Sequence, residues 1–445
     1  MNNKSIWNES ISHTNYPTLD HDLTVDTAIV GGGLAGILTA YYLKEAGINT
    51  VVLEKDHIGC GITSKTTAFI SQIHDIKLSD RIKKLGLKKT KLFVDANTQA
   101  IYEYQKLNQK YQFDFEVVSH IVYVEKDKQI LDDEMKAYNQ LGITYDYLEK
   151  IELPQKICGA LSIPNQAQMN PLKLINELAK TLNIYENSLV TSITSHQLIA
   201  NGHRVSAKRI IVATHFPFIK RWGAFFMKMY QKASYVIALS NKEPLKALYT
   251  GYDQDKLYFR SYHDFILIGG NDARCGFTKN AFDVLENYQK AYFPNSKIIK
   301  RFVNQDCITL DDLPYIGLYS TLHQNIYVLT GFNLWGMTQA MIGAKIITDM
   351  IKGCENKYQS LFNPHRHVIN KVLGENILLY MKRLFILKNK CPHMKASLIW
   401  NEEEHTWDCP CHGSKLDQDG KILNGPTMKN LNITKNKTIV NQINE

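Results

Sequence analysis

The stretch VDTAIVGGGLAGILTAYYLKEAGINTVVLE (residues 25–54) constrains the fold more than any other part of the chain. Val25, Ala28, Ile29 and Val30 make an apolar run of strand length. A glycine turn follows, then Leu38, Tyr41, Tyr42 and Leu43 at helical spacing. Gly47 stops the helix, and Val51 to Leu53 open a second strand. A strand–helix–strand unit of this kind points to a doubly wound α/β sheet. Gly31 permits the tight turn, Gly33 lets the backbone approach a pyrophosphate, and Gly36 lets helix and strand pack closely. The free N–H groups at the helix start, Leu34 and Ala35, would face that anion. Glu54, ending the second strand, would accept hydrogen bonds from ribose hydroxyls. A nucleotide-free version of the same fold is the alternative.

The motif alone does not choose between FAD and NAD. After Glu54 comes KDHIGCGITSKTTAF, a loop in which Lys55, Gly61, Thr63, Thr66 and Thr67 offer backbone donors, hydroxyls and a charge to phosphates and a flavin edge. Far downstream, TGFNLWGMT marks a strand-to-helix junction. Gly331 and Gly336 would permit close approach to a flat ring, with Trp335, Met337 and Thr338 beside it. The helix beginning near Met337 would aim its positive end at charge developing on a reduced flavin. Two glycine junctions some 300 residues apart fit one long extended cofactor, so FAD is the better reading.

Near the other end stands CPHMKASLIWNEEEHTWDCPCHGS, in which Cys391 and His393 are matched by Cys409 and His412. A Rieske [2Fe–2S] cluster takes two thiolates on one iron and two imidazoles on the other. Tetrahedral Cys₂His₂ zinc is the alternative. The tight C-x-H and C-x-x-H pairs, fifteen residues apart, favour the cluster, because zinc fingers usually pair Cys with Cys and His with His.

With 445 residues the chain can bury two or three cores. Three of its eight cysteines lie in the C-terminal motif and the others are scattered, which is usage typical of a reducing compartment. No apolar run approaches the eighteen or so residues of a membrane span. The N-terminus has neither a signal-peptide pattern nor a twin-Arg pair, so a cytoplasmic location is expected. The net charge of +9 gives nucleic-acid binding no further support. Lys83, Lys84, Lys88, Lys89 and Lys91 read first as a solvated helix face, and second as a dock for an acidic electron-transfer protein. A long helical region is expected at about 79–110, a strand at VVSHIVYVE and a helix near 131–141. Asn170 should cap a helix that has Pro171 in its first turn. Antiparallel sheet is expected over 230–270, with a His263-Asp264 turn. Pro364 is a plausible domain boundary, giving 1–364 and 365–445.

The chain resembles the FAD-dependent oxidoreductases of the D-amino-acid-oxidase type, specifically the bacterial subgroup with a C-terminal Rieske domain. The resemblance rests on SIWNESISHTNYPTLDHDLTVDTAIVGGGLAG, GCGITSKTTA, NPLKL, IIVATHFPF, LDDLPYIG, TGFNLWGMT and LFNPHR, which together span nearly the whole chain. It implies a Rossmann-type FAD domain with an interleaved mixed-sheet substrate domain, plus a small all-β Rieske domain. It also implies contacts to the dinucleotide from Val190 and Thr214. Lys65 stands where the family's GRTTA loop carries Arg. High-potential Rieske proteins add a second Cys to each cluster loop and join the two in a disulfide. Here Cys411 is present but Ala396 replaces its partner. Ser414 stands where a hydroxyl donates to a cluster sulfur, Leu416 where such proteins carry Tyr, and Pro426 in a shielding loop. Only about two dozen residues separate Arg366 from Cys391, so the Rieske domain is expected to be abbreviated, with ILLYMKRLFILKNK offering one hairpin.

These features together predict oxidation of a small amine, amino-acid or hydroxyl substrate at FAD, with electrons passed through the [2Fe–2S] cluster. Arg260, on the sheet expected to face the substrate, is the candidate partner for a substrate carboxylate. An O₂-reducing oxidase with a vestigial Rieske segment and a non-catalytic redox sensor are the alternatives.

Overall fold

The structure is a computed structural model and describes residues 4–10, 14–219, 222–241, 243–253, 256–387 and 389–432. The glycine-turn unit nucleates an eight-stranded sheet. Its main path runs Tyr315–Ser320, His323–Thr330, His203–Val212, Leu23–Val30, Thr50–Leu53 and Ile184–Tyr185. Leu23–Val30 pairs in parallel on both sides, with Ala28 opposite Ile210 and Val51. Ala28 and Ile29 are fully buried, as a strand covered on both faces requires. The helices Leu34–Glu45 and Gly336–Lys352 pack together over one face.

A nine-stranded mixed sheet forms the second layer. Its path runs Ile298–Thr309, Met229–Ser240, Phe265–Arg274, Tyr258–Tyr262, Ala247–Gly251, Glu116–Val124, Gly159–Gln168 and Phe69–Ile70. Among the described residues, only Ala247–Gly251 with Glu116–Val124 is a parallel pair within it. The expected turn at His263 and Asp264 joins two antiparallel strands, with Tyr262 opposite Phe265. Between Met229–Ser240 and Phe265–Arg274 the register slips: Ala233 faces Ala273 but Tyr235 faces Gly270. Ser234 therefore opposes both Asn271 and Asp272, a β-bulge that re-aims the side chains beside it.

Asn170 caps Pro171–Ala179 as expected, its side chain accepting from the N–H groups of Leu172 and Lys173. The long helical region expected at 79–110 consists of two helices, Leu78–Leu85 and Leu87–Lys110, divided at Gly86, whose φ of +80° ends the first. A larger correction concerns the segment before the cluster motif. The expected hairpin is instead the helix Lys371–Phe385, with Asn370 accepting from the Leu373 N–H. Asn376, Tyr380 and Arg383 lie at helical spacing on the face turned inward. Asn376 accepts from Arg274, Tyr380 donates to the Met394 carbonyl, and Arg383 reaches the Ser397 hydroxyl.

A four-stranded antiparallel sheet completes the chain, ordered Ile399–Asn401, Thr406–Asp408, Lys415–Leu416 and Ile422–Asn424. It is docked against three neighbouring strands of the mixed sheet, Ile298–Thr309, Met229–Ser240 and Phe265–Arg274. Gln231 donates to the His412 carbonyl at 2.8 Å, Gln305 to the Gly413 carbonyl, and Arg274 to the Pro410 carbonyl at 2.6 Å. A Cβ on Gly413 would lie 2.5 Å from the Gln231 side chain, so glycine is required for this approach. Among the described residues no helix is long and apolar enough to cross a membrane.

Candidate active site

A cleft of about 680 Å³ opens at the carboxyl ends of the parallel strands, where doubly wound sheets bind ligands. At its glycine-turn end lie Gly31, Gly33, Leu34, Ala35, Glu54 and Lys55, joined by Val190 and Thr214. At the other end lie Gly331, Gly336 and Met337, with Gly61, Thr63 and Thr66 along one wall. The glycines divide into two kinds. A Cβ on Gly31 would sit 2.6 Å from the Ala213 carbonyl oxygen, and one on Gly36 only 1.9 Å from that of Gly31, so both are dictated by the protein's own packing. At Gly33 an added Cβ meets no protein atom nearer than 3.4 Å, so the space it would take belongs to the cleft. Gly33, as N-cap, brings no side-chain oxygen to the helix start, and an anion can meet the first-turn N–H groups. Thr63 accepts from one of them, Leu34, at 3.1 Å.

Glu54 is buried at the base of this turn. Its two oxygens accept from the N–H groups of Gly32 at 2.7 Å and Asp56 at 3.0 Å. Burial raises its pKa, and those two N–H groups work against the rise. The carboxylate thus shapes the turn, and each oxygen keeps a second lone pair for a ribose hydroxyl. At the far end, Asp306 accepts from the Leu334 N–H at 2.7 Å and Asn333 from the Thr309 N–H at 2.8 Å. These bonds hold the loop before Gly336–Lys352, whose N-terminus has no side-chain cap. The donor set and shape fit an extended dinucleotide with a flat ring at the second junction.

Four of the expected cofactor residues do not line the cleft. Gly36 packs beneath the turn, and the Thr67 carbonyl accepts from Arg260. Trp335 stacks on His74 at 4.3 Å and donates to Asp75. Thr338 is buried with its hydroxyl 3.5 Å from His74. Arg260 is also corrected. It is 1% exposed and donates to the carbonyls of Thr67, Ala68 and Met169, at 2.6, 3.1 and 3.3 Å. The guanidinium ties three chain segments together through these carbonyls.

The metal-ligand candidates converge. Cys391, His393, Cys409 and His412 are all buried, and the two imidazole centroids lie 5.0 Å apart at 89°. The two loops repeat one hydrogen-bond pattern. The Lys395 N–H donates to the Cys391 carbonyl and the Gly413 N–H to that of Cys409. The Cys391 N–H donates to Ala396 and the Cys409 N–H to Ser414. Lys395 and Gly413, at φ of +63° and +82°, turn the two loops alike. The adjacent Cys409 thiol and burial push the Cys391 thiol up, so thiols this close and this dry call for a cation or cluster between them. The Ser414 hydroxyl lowers it, as a donor to a sulfur does. Ala396 and Leu416 are buried and bring no donor.

Sequence reasoning did not single out His215 and Phe216, which follow Thr214 in the cleft wall. The Phe216 ring lies 6.3 Å from that of His393 and 6.1 Å from that of His412. One aromatic side chain thus lines the cleft and touches both imidazoles. Lys415, Glu404 and Pro426 of the C-terminal domain line the cleft as well. The available signal was position, since the end of a parallel strand is where such folds place ligands.

Comparison with known proteins agrees with this geometry. Residues 26–350 match the family of FAD dependent oxidoreductases (DAO), and residues 357–435 match the Rieske [2Fe-2S] domain. The Rieske 2Fe-2S iron-sulfur protein YhfW of Bacillus subtilis (strain 168) is 29% identical over 96% of this chain and 97% of its own. Gamma-glutamylputrescine oxidoreductase of Escherichia coli (strain K12) is 24% identical over 79% and 89%. The crystal structure of glycine oxidase from Geobacillus kaustophilus superposes with a TM-score of 0.67 at 18% identity, covering 78% of this chain and 100% of that one, a likeness of fold.

Proposed function

The chain belongs to the family of FAD-dependent oxidoreductases of the DAO type and carries a C-terminal Rieske [2Fe–2S] domain, and from that premise we propose that it oxidises a small amine, amino-acid or hydroxyl compound and passes the electrons through the cluster. Bound FAD supplies oxidation of a C–H bond and the cluster supplies single-electron transfer. The residues of this chain hold, orient and shield. The Gly33 turn and the start of Leu34–Glu45 would receive the pyrophosphate, and Glu54 would receive the ribose. Asp306 and Asn333 fix the loop before Gly336–Lys352, whose start would face the flavin ring. The C-terminal domain lays Lys415 and Pro426 along the cleft.

One observation carries the reading: Phe216 lines the cofactor cleft and touches both cluster imidazoles. The docking bonds from Gln231 and Gln305 fix that separation. For the acceptor beyond the cluster, exposed Lys88, Lys89 and Lys91 would steer an acidic electron-transfer protein, while Lys83 and Lys84 are paired with Asp80 and Asp312.

The test is an anaerobic screen of amines, amino acids and hydroxy compounds for bleaching of the flavin, with the cluster followed by EPR. Bleaching followed by appearance of the reduced cluster is expected. No bleaching across the panel would favour the redox-sensor reading. Bleaching with peroxide formation that does not depend on iron would favour a plain oxidase.

A further inference from the structure

The helix Lys371–Phe385 reverses the polarity usual for a helix that serves a soluble core. Its inward face is polar: Asn376, Tyr380 and Arg383 are bonded to Arg274, the Met394 carbonyl and Ser397. Its outward face is apolar. Ile377, Leu378, Met381 and Phe385 are exposed, and their spacing places them on one side of the helix. Phe385 is 77% exposed, and Ile369 before the helix and Leu387 after it are 90% and 92% exposed. Single exposed apolar side chains need no explanation, but a row along a whole element does.

The border of this row is basic. From residue 371 to residue 395 the sequence carries Lys371, Lys382, Arg383, Lys388, Lys390 and Lys395 against a single acid, Glu375. Lys371 is paired with Glu375 at 3.6 Å, and Lys390 donates to the Leu384 carbonyl at 2.6 Å. Lys382, beside the row, and Lys395, next to the Met394 that Tyr380 holds, are exposed, and among the described residues neither has a carboxylate partner. A second copy of the chain laid on this face would set the same lysines against one another. An acidic protein would answer the charge, but it must also bring an apolar groove as long as the row. An anionic lipid surface answers both without a matching shape: headgroups meet the lysines, and the acyl boundary takes the Phe, Leu, Ile and Met side chains.

We propose that the helix Lys371–Phe385 lies on an anionic lipid surface, with Ile377, Leu378, Met381 and Phe385 entering the boundary between headgroups and acyl chains and Lys382 and Lys395 on the phosphates. The association is peripheral and reversible, as for other amphipathic helices that lie in the interface plane. On the opposite face of the helix the Tyr380 ring lies 6.0 Å from that of His412. The lipid surface is therefore separated from a cluster ligand by little more than one helix diameter, about 10–12 Å. The inference goes beyond the oxidation reading and does not depend on it.

The test uses the full-length protein loaded with FAD and cluster, and two kinds of vesicle: pure phosphatidylcholine, and phosphatidylcholine with phosphatidylglycerol in equal parts. Co-sedimentation should show at least tenfold stronger partition onto the anionic vesicles. A Leu378→Ser, Phe385→Ser double variant should partition at least tenfold less onto them at an unchanged melting temperature, because both side chains are exposed. Lys382→Ser with Lys395→Ser should narrow the preference for anionic vesicles, and an unchanged preference would overturn the placement of these lysines on phosphate. A native protein that leaves anionic vesicles alone, or partitions equally onto both kinds, would overturn the inference without any variant. Binding of the Leu378→Ser, Phe385→Ser protein at native strength would overturn it too, since charge elsewhere on the chain would then hold the vesicle. A native dimer that ignores vesicles and becomes a monomer in that variant would assign the row to a second copy and contradict the lipid reading.

Discussion

Two glycine-to-alanine substitutions three residues apart should fail in different ways. At Gly36 the new Cβ would lie 1.9 Å from the Gly31 carbonyl oxygen and 3.5 Å from the Ile29 side chain. A normal contact is roughly 3.2 Å, so helix or turn must yield by more than an ångström. Alanine gains about 1 kcal/mol over glycine inside a helix, but overpacking of this kind costs about 1–3 kcal/mol and reaches further when backbone is the obstacle. Gly36→Ala is therefore expected to lower the stability of the FAD-free protein. At Gly33 φ is −75° and ψ is −179°, which alanine adopts freely, and the nearest atom to its Cβ is the Thr63 hydroxyl at 3.4 Å. Here the fold should be indifferent, within about 1 kcal/mol, while the methyl group intrudes on the pyrophosphate. FAD affinity should fall at least tenfold, about 1.4 kcal/mol, and further in Gly33→Val. The assay is urea unfolding of the stripped proteins alongside FAD titration by flavin fluorescence. A Gly33→Ala protein that binds FAD as tightly as the native one, or a Gly36→Ala protein of undiminished stability, would refute the reasoning.

Arg260→Met should lower stability by several kcal/mol, because it leaves three buried carbonyls without donors; the melting temperature should drop, and a rise in KM at unchanged stability would contradict the structural role. The cluster potential should lie toward the low end of the roughly −150 to +300 mV Rieske range, because Ala396 and Leu416 bring no donor and Ser414 alone does; an EPR-monitored redox titration reads it, and Cys391→Ser should eliminate the signal.

The chemistry-bearing spacings were legible because local rules dictate them. Gly36 is fixed by its contact with the Gly31 carbonyl one turn away, and Cys391, His393, Cys409 and His412 sit on two copies of the same short turn. Arg260 was not legible, since Tyr258–Tyr262 is buried on both faces and alternation cannot tell substrate side from interior. The helix Lys371–Phe385 was misread for a related reason: a short apolar run suits a strand or a helix equally, and the deciding contacts come from Arg274 and the cluster loops. The role of Phe216 depends on the docking of the C-terminal segment onto the mixed sheet, which leaves no local pattern.

The most direct test of the account is flash photoreduction of the flavin in the anaerobic, fully loaded protein, with the cluster followed optically. If Phe216 marks a junction within one molecule, electrons should reach the cluster at a rate that does not change with protein concentration. A rate proportional to concentration, or a cluster left oxidised at a solution potential below its midpoint, would contradict it.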